Sequence, residues 1–166
     1  MGNLCAEQGK LIEAEKMYRQ ALQGYEKALG LEHLATLSTV NNLGLLCANQ
    51  DKLSEAEKLY QRALQGYEKA LGPQHQSTLD TVHNLGNLHV KLGNLVKAGG
   101  IYLRALQGYE KALGPEHQST LDTVNNLGIV YMDLKKFDKA EKMYRRALQG
   151  KRKDTWSRTC INSRDY

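Results

Sequence analysis

The string Gly-Tyr-Glu-Lys-Ala-Leu-Gly stands at 24–30, at 66–72 and at 108–114, each copy 42 residues after the last. A word of that length recurring at one long interval restricts the fold more than any composition figure. Each period must be one supersecondary unit that buries its apolar side only by stacking on the next. The period points to a binding scaffold and leaves open what is bound.

The unit at 78–119 shows what repeats. Its first part sets Leu79, Val82, Leu85, Gly86, His89 and Leu92 at three- and four-residue steps, the stripe of an amphipathic helix. Its second part spaces Leu95, Ala98, Ile101, Tyr102, Ala105, Leu106, Tyr109 and Leu113 in the same way. Between them Lys91-Leu92-Gly93-Asn94 reads as a turn with a helix-ending glycine. Gly114-Pro115 ends the second helix, because glycine suits the left-handed cap and proline cannot continue the helix. Ser77-Thr-Leu-Asp80 and Ser119-Thr-Leu-Asp122 resemble capping boxes that start the next helices. Each unit is therefore a hairpin of a shorter helix A and a longer helix B.

This divides the chain into units over 1–35, 36–77, 78–119 and 120–150, with a tail over 151–166. Helix A of the second unit is expected over 37–49 and helix B over 53–71, after a turn at Gly30 that lacks the later prolines. In the first unit Met1 aligns with Leu43, so only helix B, over 11–29, is complete. The expectation is a partial helix A ahead of a turn, in a fragment of a longer array. Past Gly150 the pattern breaks into Lys151-Arg152-Lys153-Asp154-Thr155-Trp156. A short cap carrying Trp156 and Cys160 and a disordered tail both fit.

Small residues recur where helices must touch. Gly44, Gly86 and Gly128 sit in helix A; Ala14, Ala56, Ala98 and Ala140 sit in helix B, each with a tyrosine four residues on. A mid-helix glycine costs about 1 kcal/mol against alanine, so its periodic return predicts close approach of a neighbouring helix. The third unit departs at Gly99-Gly100, where the others have Glu-Lys. That pair predicts a soft helix, bent at those residues.

The residues of helix A that carry this pattern, Leu-Gly followed by Ala, Tyr and Ala in helix B, resemble the tetratricopeptide repeat (TPR). The ordinary unit of that family has about 34 residues, and the longer form here is similar to the kinesin-light-chain type. It is similar too to the arrays of fungal NB-ARC or NACHT signalling ATPases. The resemblance covers 1–150. It implies an all-α, right-handed superhelical solenoid of about three and a half hairpins, with the A helices lining a concave groove. The groove residues it implies are Ser38, Asn41, Asn42, Leu45 and Asn49, then Asp80, His83, Asn84, Asn87 and Lys91, then Asp122, Asn125, Asn126, Ile129 and Asp133.

The asparagines need a reason, because asparagine is a poor helix former. An amide both donates and accepts, so a ladder of amides can hold the backbone of an extended peptide. The competing assignment is that some of them cap loops or bond between adjacent A helices. The chaperone-binding members of the family clamp a carboxylate with lysines and arginines, and those positions here carry Asn, His, Ser and Asp. No such clamp is expected. Asp80, Asp122 and Asp133 against Lys91 favour a neutral or basic peptide.

Nothing else assembles chemistry. No phosphate-binding Gly-x-x-x-x-Gly-Lys loop occurs. His33, His75 and His117 recur at the period, each alone in its turn, and are expected to bond locally. Tyr25, Tyr67 and Tyr109 are expected to pack on helix B. Cys5 and Cys47, one period apart, suit small core positions; with no Cys-x-x-Cys, no metal site and no cofactor are expected. Of the +5 formal charge, most lies in the tail, where five basic residues face Asp154 and Asp165. That is a thin case for nucleic-acid binding. No signal peptide or membrane-spanning run is present, and a reducing, cytoplasmic setting fits. The expected function is protein–protein interaction rather than catalysis. A cargo adaptor like kinesin light chain and a self-associating array stacked through uncapped ends are the alternatives.

Overall fold

The computed structural model describes the backbone of residues 2–162 and the side chains of residues 10–150. Among the described residues it is all helix: α1 (Gly2–Leu29), α2 (Leu34–Asn49), α3 (Leu53–Leu71), α4 (Gln76–Lys91), α5 (Leu95–Leu113), α6 (Gln118–Asp133) and α7 (Phe137–Asn162). The even-numbered helices are the A helices of the repeat. The chain forms two compact units, the first ending at Leu88 and the second beginning at His89.

In the first unit α2 lies between α1 and α3. Leu37 and Val40 of α2 form a cluster with Ala63 and Tyr67 of α3, and Leu22 of α1 packs against it. Two glycines permit the close approach. A Cβ on Gly44 would stand 3.0 Å from Tyr60 Cδ1 and 3.3 Å from Leu59 Cβ. A Cβ on Gly66 would stand 2.7 Å from Leu37 Cδ1, and Leu37 is fully buried. The glycine penalty is offset by the packing that the missing methyl allows.

The turns use different chemistry from the capping boxes read in the sequence. α2 starts at Leu34 and α6 at Gln118, earlier than expected, and the N-cap is histidine. His33 Nδ1 accepts from the Ala35 amide, His75 Nδ1 from Ser77 and His117 Nδ1 from Ser119, all at 3.2 Å. The imidazole nitrogen takes the place of a serine oxygen, and Ser77 and Ser119 lie inside the first turn. Buried Thr36, Thr78 and Thr120 donate at 2.8 Å to the carbonyls of Gly30, Gly72 and Gly114. Those glycines have φ of 91°, 86° and 96°. The turn at Gly30 therefore has the geometry of the others without their proline.

The first helix departs from expectation. α1 runs unbroken from Gly2 to Leu29, through the position where the other hairpins turn. Those turns need a left-handed residue, at Asp51, Gly93 and Lys135 with φ of 58°, 73° and 57°. Such a turn is held only when the folded-back helix buries enough surface. Extending an existing helix needs no new nucleus, and at Gly9, the equivalent position, the chain stays helical. The Cys5 side chain lies outside the described residues.

In the second unit α6 lies between α5 and α7. Ala98, Tyr102 and Leu106 of α5, Val124, Leu127 and Val130 of α6, and Ala147 of α7 form one cluster. A Cβ on Gly128 would meet Tyr144 Cε1 at 2.7 Å, and one on Gly150 would meet Leu121 Cδ2 at 2.5 Å, repeating the contacts of Gly44 and Gly66. Gly86, on α4 in the first unit, is buried as well. α5 passes through Gly99-Gly100 as one helix. The pair is not wholly exposed: Gly99 is buried, its Cβ position 3.6 Å from Val130, while Gly100 faces open space. α7 continues past Gly150 to Asn162, so the break in the repeat pattern does not end the helix. The side chains of Trp156 and Cys160 lie outside the described residues.

Candidate peptide-binding face

α2 packs on α1 and α3, and α6 on α5 and α7; the residues expected to line a groove are exposed or half-buried. On α2, Ser38, Asn42, Leu45 and Asn49 are exposed, at steps that place them in one stripe, and Asn41 is half-buried beside them. On α4, Asp80, His83 and Asn84 are half-buried, and Asn87 and Lys91 are exposed. On α6, Asp122, Asn125 and Asn126 are half-buried, and Ile129 and Asp133 are exposed.

Several of these polar groups are engaged within the fold. In the first unit Asn41 Oδ1 accepts from Asn84 Nδ2 at 3.5 Å and lies 3.2 Å from Thr81 Oγ1, tying α2 to α4. The Thr81 hydroxyl has one proton, and its 2.8 Å bond to the Ser77 carbonyl is the better one. The Asn41–Thr81 contact is thus secondary. In the second unit Asn126 bonds the Tyr102 hydroxyl. Burial pushes the Tyr102 hydroxyl up to about 12, with the Asn126 bond opposing it. Burial raises Tyr67 too, with the nearby Ser38 opposing and the Asp80 charge adding to the rise. Asn41, Asn84 and Asn126 accordingly join helices, which is the competing assignment for those residues. Asn42, Leu45, Asn49 and Ile129 face outward.

The apolar members are the informative ones. Leu45 is 45% exposed and Ile129, at the same repeat position, 42%. Neither serves the core. Exposed leucines are common singly, but these stand at one repeat position, occupied by Asn87 on α4, and each has an asparagine one turn before it. Among the described residues, no three of His, Cys, Asp and Glu gather as a metal site, and no helix is long and apolar enough to cross a membrane. Cys47 is fully buried with a free thiol, which burial pushes up.

The B helices carry a charge pattern that the sequence reading missed. The glutamate of the seven-residue word pairs with an arginine on the next B helix: Glu26 with Arg62 at 2.7 Å, Glu110 with Arg146 at 2.5 Å. The signal was present, since Arg62, Arg104 and Arg146 recur at the period of Glu26, Glu68 and Glu110. Between α1 and α3, Glu15 binds Lys52 at 2.6 Å and Arg19 at 2.8 Å, and Arg19 reaches Glu55 at 2.6 Å. The Lys52 and Arg19 bonds pull the Glu15 carboxyl down to about 2, and Glu55 and Glu15 raise the Arg19 guanidinium.

The fold has relatives among known proteins. The profile of the tetratricopeptide repeat matches residues 1–69, 37–98 and 77–153. The solved structure of BtubC (BKLC) from P. vanneervenii is similar over 89% of this chain, with TM-score 0.81 and 25% identity. This chain spans 59% of the length of that one. The nearly identical TPR-like repeats of a candidate kinesin light chain from Podosopora anserina, in a Q17M form, match 89% of this chain and 70% of their own. Their TM-score is 0.74 at 22% identity, a likeness of fold. MamA covers 93% of this chain and 96% of its own at TM-score 0.55 and 17% identity. No curated protein matches the sequence. With the profile running through all the hairpins, the chain belongs to the tetratricopeptide repeat family.

Proposed function

We propose that the outward face of the A helices binds an extended peptide from a partner protein. The observation that carries this reading is the exposed aliphatic side chain at one repeat position, Leu45 on α2 and Ile129 on α6, 45% and 42% exposed. On α2 it lies between exposed Asn42 and Asn49. An aliphatic residue gives an apolar side chain of the peptide a place to dock, and the amides pair with its backbone whatever its sequence. In the first unit the Asn41–Asn84 bond holds α2 and α4 side by side, which fixes the spacing of that surface. Asp122 and Asp133 on α6 favour a neutral or basic peptide. The TPR fold supports a protein-interaction scaffold in general. An adaptor of the kinesin-light-chain kind, holding a segment of cargo, is the version of this reading with the most definite partner class.

The test is a peptide array probed with the full chain, followed by solution titration of the best binder. The double variant Asn42→Ala, Leu45→Asp should weaken binding at least about tenfold, a loss on the scale of one interface anchor. Both side chains are exposed, so the melting temperature should stay within a degree or two of the parent. Unchanged affinity in a folded double variant refutes the proposal.

A further inference from the structure

The A helices start on an acceptor that acid can switch off. Nδ1 of His33, His75 and His117 accepts the amide of Ala35, Ser77 and Ser119, each at 3.2 Å. An imidazole nitrogen accepts only while it carries no proton, so each ring is neutral with its proton on Nε2. A protonated ring has N–H at both nitrogens. Its Nδ1–H faces the very amide N–H that the neutral ring binds, and its charge stands at the positive end of the helix dipole. The stability that each cap contributes is therefore complete while the ring is neutral and is lost as pH falls and the ring takes its proton. Serine and asparagine fill the same cap with nothing that titrates. All three imidazoles are exposed, so solvent protons reach them.

The charges of these turns are carried by the residue before each histidine and by the ends of the B helices. Glu32, next to His33, is joined to Lys69 of α3 at 2.5 Å, and Glu26 of α1, beside Lys27, to Arg62 of α3 at 2.7 Å. His75 follows neutral Gln74, with Glu68 and Lys69 in the helix end before it. His117 follows Glu116, with Lys111 and Glu110 in the end of α5, and Glu110 is joined to Arg146 of α7 at 2.5 Å. Carboxylates and ammonium groups keep their charge between about pH 7.5 and 5.5, so over that window the imidazoles are the groups of these turns that change. A second hold is indifferent to pH. Thr36, Thr78 and Thr120, the third residues of their helices, donate at 2.8 Å to the carbonyls of Gly30, Gly72 and Gly114. We propose that the three histidine caps are an acid-responsive device: in mild acid α2, α4 and α6 lose their caps over one pH range, and the first turn of each loosens as far as its threonine. This rests on the caps and stands without the peptide-binding reading.

The test follows the full chain between about pH 7.5 and 5.5, the range in which imidazole gains its proton. At the upper value nitrogen NMR should show the Nε2–H tautomer at His33, His75 and His117. On acidification the amides of Ala35, Ser77 and Ser119 should lose protection from hydrogen exchange about fivefold after correction for the intrinsic rate, the scale of one helix cap. Amides beyond Thr36, Thr78 and Thr120 should hold theirs. The triple variant His33→Ser, His75→Ser, His117→Ser keeps a cap that does not titrate, so its protection at those amides should not change with pH. His83 and His89 are present in both proteins, so their contribution cancels from the comparison. If the triple variant does not fold, His117→Ser by itself should spare the Ser119 amide and leave Ala35 and Ser77 acid-sensitive. An Nδ1–H tautomer at the upper pH, protection in the parent that does not fall with pH, or an equal fall in the serine variant overturns the proposal.

Discussion

α1 and α3 carry the same seven-residue word in different surroundings. Tyr67 on α3 is 6% exposed, and Tyr25, its counterpart on α1, is 41% exposed. A Cβ on Gly66 would overlap the Leu37 side chain, whereas one on Gly24 would meet nothing within 4 Å. The residues are identical, and so is the helix they form. What differs is the start of α2, whose Leu37 lies over the word on α3; among the described residues nothing lies over the word on α1 in the same way. Burial in a repeat protein is thus a property of the neighbour rather than of the residue.

The comparison is broken most directly by truncation. Tyr67→Ala should cost about 3–5 kcal/mol, as for other buried aromatic residues, and Tyr25→Ala less than about 1 kcal/mol. Equal losses in urea unfolding would mean that α1 is covered in solution. Alanine at the glycines should give opposite signs. Gly66→Ala overpacks a buried leucine and should cost about 2 kcal/mol. Gly24→Ala meets open space and should gain about 1 kcal/mol from helix propensity. Matched changes of one sign in thermal melting would refute the difference.

Charge sharpens the same contrast, because α1 is tied to α3 by ions where packing is thin. The Glu15 side chain is 13% exposed, and its carboxyl is held at about 2 by Lys52 and Arg19. A depressed carboxyl contributes stability that is complete above its unfolded value near 4.5 and is lost as pH falls toward 2. Lys52 and Arg19 are about half exposed, so screening reduces the contribution to about 1–2 kcal/mol. Glu15→Gln should remove that part of the acid sensitivity between those pH values, and an unchanged pH–stability curve would exclude it. The smallest expected effect is at the turns. Asp51 and Lys135 hold φ of 58° and 57° where the third hairpin has Gly93. Either residue replaced by glycine should gain up to about 1 kcal/mol, the relief of left-handed strain less the entropy of glycine. A loss in calorimetry at both would show that their side chains hold the turns.

Helix B was legible to the residue: 53–71 was expected, and α3 is Leu53–Leu71. Helix A began early because its cap is a histidine, a residue seldom read as a cap. The periodic glycines led correctly to close contacts at Gly44 and Gly128, since only packing explains such a repeat. The Gly99-Gly100 pair was harder to read. A glycine next to Val130 and a glycine in open space look the same in the sequence. Which asparagines the fold engages was not legible. Asn41 turned to Asn84 and Asn126 to Tyr102, while Asn42 and Asn49 turned outward.

The sequence by itself determined the hairpin, its period and the positions where helices touch, because apolar spacing and turn residues act over a few neighbours along the chain. Only the tertiary structure decided which copy of each position is covered, where α1 fails to turn, and which amides are committed to the fold. Those outcomes depend on residues some 36–43 places apart meeting in space, as in the Glu110–Arg146 and Asn41–Asn84 contacts, and local pattern carries no record of which of them will find a partner.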